Sequence, residues 1–149
     1  MENLIIFLVL MALGYGFGTF AEKRHYKSIL QREKEFINLP AVTLRTAHYT
    51  PDQVASARLV YGSAVISIDF FKKILAGLRN IFGGPVKSYE SLLDRARREA
   101  TLRMKEMAGD AAVIVNVRVE TSSIGKQANR KSVGCLEAIV YGTAITLRK

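Results

Sequence analysis

Residues 3–21, NLIIFLVLMALGYGFGTFA, carry no charged side chain, and the next stretch, EKRHYKSILQREKEF, is dense in charge. Nineteen residues at a helical rise of 1.5 Å reach roughly 28 Å, about the thickness of a bilayer's hydrocarbon core. Inside a water-soluble fold such a helix would need apolar walls all round, and the rest of this small chain cannot provide them. A secretory leader is the rival reading, with Thr19-Phe20-Ala21 as a small-x-small cleavage site. Leaders open on Lys or Arg and keep their apolar core to about 7–15 residues. Here Glu2 is the only charged side chain before the run, and the run is longer. Lys23, Arg24, Lys27, Arg32 and Lys34 all follow it. The positive-inside rule therefore predicts an uncleaved, single-pass anchor over residues 1–21, with the C-terminal side in the cytoplasm.

Residues 22–40 read as a juxtamembrane helix and linker. Tyr26, Ile29, Leu30, Phe36 and Ile37 share one side, and Pro40 ends the helix by removing a backbone donor. That side either lies on lipid headgroups or meets another subunit. Residues 41–149 then form one domain. AVTLRTAHYT, 41–50, is a candidate first strand, and residues 57–68 make a second. Asp69 is placed to cap a helix carrying Phe70, Phe71, Ile74, Leu75, Leu78, Ile81 and Phe82, stopped by Gly83-Gly84-Pro85. A second helix over 88–108 presents Tyr89, Leu92, Leu93, Ala96, Ala100, Met104 and Met107 as its apolar stripe, with Gly109 as the stop. Residues 111–121 alternate, Val113, Val115, Val117 and Val119 against Ile114, Asn116, Arg118 and Glu120, which predicts a strand with one face on a core. A polar loop leads to the last strand, CLEAIVYGTAITL. The order is β-β-α-α-β-β behind a membrane helix, an α+β arrangement.

VYGSAVISI at 60–68 and VYGTAITL at 140–147 are nearly the same strand written twice. Glycine inside a strand marks a bulge or a close backbone approach. Gly62 with Ala64, and Gly142 with Ala144, each present a narrow strip against which a helix or another strand packs. Two neighbouring strands under one long helix meet the same steric demand, and this is a sufficient reason for the repeat. Gly62 and Gly142 are accordingly candidate assembly positions.

VYGSAVISIDFFKKILAGLRNIFGGPVKSYESLLDRAR, GDAAVIVNVRVET and VYGTAI resemble, in that order, the YbjQ-like family of small bacterial proteins. Leu78 and Arg79, the Gly83-Gly84 pair, and Tyr89-Glu90 are the most distinctive part, and the resemblance spans about 58–147. It implies a dodecin-like subunit that closes into a cyclic homo-oligomer, a pentamer, through its strands, and it carries a heavy-metal-binding label. With the anchor, it implies a bacterial inner-membrane location.

The residues themselves offer little for that label. Soft-metal sites need several converging thiolates or imidazoles. This chain has Cys135, His25 and His48, with no Cys-x-x-Cys or His-x-x-x-His. Cys135 and His48 are the candidate metal ligands, and a ring could bring one Cys135 per subunit to an axis. Phosphate-loop, nucleophile-elbow and dinucleotide motifs are absent, so neither an enzyme nor a resident cofactor is expected. Arg79, Gly83, Gly84 and Tyr89 could line a small ligand-binding bend. Gly14 and Gly18 have the GxxxG spacing of helices that pack closely in membranes. Of the formal charge of +9, Lys126, Arg130 and Lys131 sit in one polar loop and are candidates for contact with an anionic surface. No aromatic residues alternate with basic ones as in a stacking platform, so nucleic acid is not an expected partner.

Overall fold

The computed structural model describes residues 2–45, 49–67, 87–124 and 135–148. Helix α1 runs Glu2–Glu35, β1 Val54–Ser67, α2 Lys87–Ala108, β2 Val113–Ile124 and β3 Cys135–Leu147. The three strands form one antiparallel sheet in the order β1-β3-β2, so the last strand in sequence lies in the middle. The chain is α+β, as the element pattern predicts.

α2 lies across one face of this sheet. Ala96, Ala100, Met104 and Ala108 recur every four residues and are fully buried. Three alanines in that line let the helix backbone come close to the strands. Val60 and Ala64 of β1, and Leu136, Ala138, Val140 and Ala144 of β3, meet them. Arg58 donates to the carbonyls of Ala108, at 2.8 Å, and Met107, at 3.3 Å, and so satisfies the end of α2. Gly109 follows at φ 60°, the left-handed stop that its position predicts.

The twin motifs sit side by side. Val60 pairs with Gly142, Tyr61 with Tyr141 and Gly62 with Val140, a local twofold centred on the two tyrosines. The two glycines serve different neighbours. A Cβ on Gly62 would stand 2.5 Å from the Met104 nitrogen and closer still to the Ala100 carbonyl oxygen. One on Gly142 would meet β2, at 2.9 Å from Ile114 Cγ2 and 3.0 Å from the Val115 carbonyl oxygen. Both close approaches lie within the chain.

Three sequence expectations change. Residues 41–50 do not form a strand among the described residues: Ala41 makes a single parallel bridge to Ile114, and Val42 and Leu44 extend it only by hydrogen bonds to β2. β2 does not alternate throughout. Its register slips between Val115 and Arg118, with Asn116 at φ 53°. Asn tolerates that conformation, and its N–H donates to the Leu44 carbonyl at 2.7 Å. One extra residue reverses the facing, so Val117 joins Ile114 in the main core while Val113 and Val115 pack with Ile145 on the other side. Finally, α1 ends at Glu35, before Pro40 is reached, because Leu39 turns into the core and the Pro40 carbonyl accepts from Ile114 at 2.9 Å. The helix expected from Phe70 to Phe82 lies outside the described residues.

Candidate functional site

Strand pairing puts alternate residues of β1 and β3 on the face away from α2. Leu59 is 66% exposed, Tyr61 56% and Val65 56%, and Ile139 and Tyr141 lie beside them, also exposed. Arg118 and Glu120 of β2 border this row, opposite Tyr141 and Ile139. A protein of this size rarely leaves an aromatic pair and three aliphatic side chains together in water without a partner surface. The outer edge of β1 likewise has no strand beside it among the described residues.

The second feature is a charged clamp between α1 and α2. Contacts climb both helices together: the Tyr26 hydroxyl donates to the Ser91 carbonyl at 3.0 Å, Glu33 pairs with Arg98, and Lys105 donates to the Phe36 carbonyl at 3.1 Å. The helices therefore run parallel. Glu99 is the hub, only 5% exposed although ionisable. Arg32 grips its carboxylate with both terminal nitrogens, Arg103 donates to it at 2.9 Å, and His25 lies 3.2 Å away. Arg103 also donates to the Ser63 carbonyl at 2.7 Å, which ties the hub to β1. Arg98 holds Glu33 through two bonds, 2.7 and 2.6 Å, and lies over the Tyr26 ring. Ile29, on the same helix as Tyr26, is fully buried. The C-terminal half of α1 thus meets its own domain. Leu30 and Ile37, expected on the same side, are exposed.

Burial alone would push the Glu99 carboxyl up, but the hydrogen bonds from Arg32 and Arg103 outweigh it and hold the group below its ordinary 4.5. A carboxyl lowered in the folded state adds stability that is complete above 4.5 and disappears as pH falls through the folded value. Acid-protease cleavage between α1 and β1 should therefore accelerate as pH falls below about 4.5, and Glu99→Gln should flatten that acid limb. An unchanged acid limb in the variant would show that Glu99 does not carry it.

The clamp was not legible as such. Its one sequence signal is an acid, Glu99, set against the Ala96–Ala100 line, where an apolar residue is the usual choice. Of the residues singled out by sequence, Cys135 is half-buried at the start of β3. Gly14 and Gly18 lie one turn apart in α1. Tyr89 belongs to the first turn of α2. His48, Arg79, Gly83, Gly84, Lys126, Arg130 and Lys131 lie outside the described residues.

One helix laid over a three-stranded sheet, with an exposed apolar face opposite and a long apolar helix clamped alongside, defines a small α+β module. The chain belongs to the YbjQ-like family, whose model, described as "Putative heavy-metal-binding", matches residues 42–148. A UPF0145 protein of Hahella chejuensis is 44% identical over 91 residues, covering 60% of this chain and 81% of the relative. One from Clostridium novyi is 33% identical, covering 71% and 98%. One from Archaeoglobus fulgidus is 40% identical, covering 60% and 79%, so the family is not confined to bacteria. A solved structure from Pediococcus pentosaceus, of a DUF74-family protein of unknown function, aligns with 74% of this chain and 98% of its own at 18% identity and TM-score 0.47. The family match begins beyond α1.

Among the described residues no three His, Cys, Asp or Glu side chains come together. His25 and Glu99 do meet, but Arg32 and Arg103 occupy the carboxylate. The described residues do not fit a heavy-metal site within one chain.

Proposed function

We propose that this protein is a membrane-anchored, non-enzymatic assembly module, in which α1 crosses a bilayer and copies of the domain join through the open face of the sheet. The observation that carries this reading is the exposed row Leu59, Tyr61, Val65, Ile139 and Tyr141 opposite α2. Joining copies there removes the row from water, and a closed ring leaves no unpaired surface behind. The family resemblance supports a dodecin-like ring of five. α1 is long and apolar enough to cross a membrane, and the basic residues after it support a cytoplasmic domain.

Native mass spectrometry of the detergent-extracted chain should show one discrete oligomer, five subunits by that resemblance. Tyr61→Asp with Tyr141→Asp places facing charges on the joined surface and should reduce the oligomer to monomer. A monomeric parent at micromolar concentration, or a variant with unchanged stoichiometry, defeats the reading. A reporter fused after Lys149 should behave as cytoplasmic; periplasmic activity defeats the topology. The same spectra read any retained metal, and a stoichiometric heavy metal would favour a binding ring built around Cys135 of each subunit.

A further inference from the structure

The clamp has a consequence for how the domain sits on its membrane. α1 and α2 run parallel, and β1 runs antiparallel to α2, because Arg58 lies at Ala108 while Gly62 lies at Ala100 and Met104. The ends of the three strands, Ser67, Ile124 and Cys135, are in register with one another and therefore share one end of the domain with the start of α2. That end points down α1, toward its uncharged half.

The heights follow from helix geometry. Tyr26 is five residues beyond Ala21, the last uncharged position, so it stands roughly 8 Å above the apolar boundary. Its hydroxyl bonds the Ser91 carbonyl, which puts Ser91 near the same level. A headgroup layer adds about 5–7 Å to each side of the hydrocarbon core. The first turn of α2 thus falls within that layer, while Ala108 stands about 25 Å farther out. Lys23, Arg24 and Lys27 are exposed on α1 at the same height.

We infer that the clamped pair α1–α2 is a rigid strut that stands the sheet end-on over the bilayer, with the Ser67–Ile124–Cys135 end facing the membrane and the start of α2 at the level of anionic lipid headgroups. This rests on the membrane reading above and adds an orientation to it. Flexible tethering would leave every side of the domain equally close to lipid; the Glu99 and Arg98 pairs forbid that. Lys23, Arg24 and Lys27 suit phosphate at that level, as does the partial positive charge at the start of α2, which exposed Glu90 offsets in part. End-on placement also turns the open sheet face parallel to the membrane normal. Copies can then join around an axis perpendicular to the bilayer, with all anchors parallel.

The test is depth measurement on the full chain in vesicles of phosphatidylglycerol and phosphatidylcholine carrying a headgroup-attached quencher. In a Cys135→Ser background, a fluorophore is attached at Glu90→Cys, in the first turn of α2, or at Asp110→Cys, just past its end, both exposed positions. Quenching at position 90 should exceed that at 110 at least threefold. Vesicles of phosphatidylcholine alone should lower the signal at 90 about twofold, and no change there overturns the anionic preference. Breaking the strut with Glu99→Ala and Arg98→Ala should bring the two labels toward one value while the protein still floats with the vesicles. Equal quenching in the unbroken chain overturns the orientation by itself. If the unsubstituted chain does not float with vesicles, the membrane reading fails and the orientation with it.

Discussion

Gly62→Val should leave the domain unfolded or close to it, with a melting temperature lowered by at least about 12 °C. The residue's missing Cβ points into α2, where the Met104 nitrogen lies 2.5 Å away and the Ala100 carbonyl oxygen nearer. Both are backbone atoms inside a helix, so no rotamer change relieves the clash. α2 would have to lift off the sheet and uncover Val60, Ala64, Ala96 and Met104 together. Overpacking commonly costs 1–3 kcal/mol, and a clash with a helix backbone belongs above about 3 kcal/mol. That is a large part of a typical domain's 5–15 kcal/mol. Circular dichroism melts in detergent decide it. Gly16→Ala, whose added carbon meets nothing within 4 Å, is the control and should melt like the parent. Gly142→Val should fall between them, since its nearest neighbours include the movable ends of Ile114 and Val117 as well as the Val115 carbonyl. A Gly62 variant as stable as the parent would mean that β1 does not touch α2 as described.

Glu99→Ala should be the most damaging single change among the charged residues. It removes an acceptor shared by Arg32, Arg103 and His25 at a site almost closed to water. Taking one partner from a buried ion pair costs about 3–5 kcal/mol, because the remaining charge has lost both water and partner. Here the loss should be smaller, roughly 2–3 kcal/mol, since Arg103 reaches solvent and Arg32 keeps Glu106 at 3.1 Å. The damage should be local. Protease cleavage between α1 and β1 should accelerate strongly, while the sheet melts only a little earlier. Hydrogen exchange resolves the two effects, because amides of α1 from Tyr26 to Glu35 should lose protection and those of β3 should keep it. Equal loss in both would make Glu99 a core residue of the whole fold, and no loss would remove the strut.

Much of this architecture is legible in local patterns. The uncharged run predicts a long apolar helix, the four-residue repeat of small apolar side chains predicts α2, and a glycine at a helix end predicts the left-handed stop at Gly109. The family, too, is readable from linked blocks of residues. These are properties of neighbouring positions, and local backbone preferences and side-chain periodicity act over such distances. The open sheet face was half legible: the repeat drew attention to Gly62 and Gly142, while the tyrosines between them form the exposed pair.

What the sequence determined by itself, then, is that the segments of α1 and α2 are helical, that those of β1, β2 and β3 are extended, where the charge changes abruptly and which family the chain joins. The tertiary structure alone decided the rest. The pairing of Tyr61 with Tyr141 depends on β3 entering the middle of the sheet. The reversal of Val117 depends on a bulge at Asn116 that is fixed by a hydrogen bond to Leu44. Glu99 meets Arg32 across 67 positions of chain only because α1 and α2 run parallel. Contacts of that range have no local signature: a charged residue's partner is set by which surfaces come together, and those are chosen by burying the apolar ones.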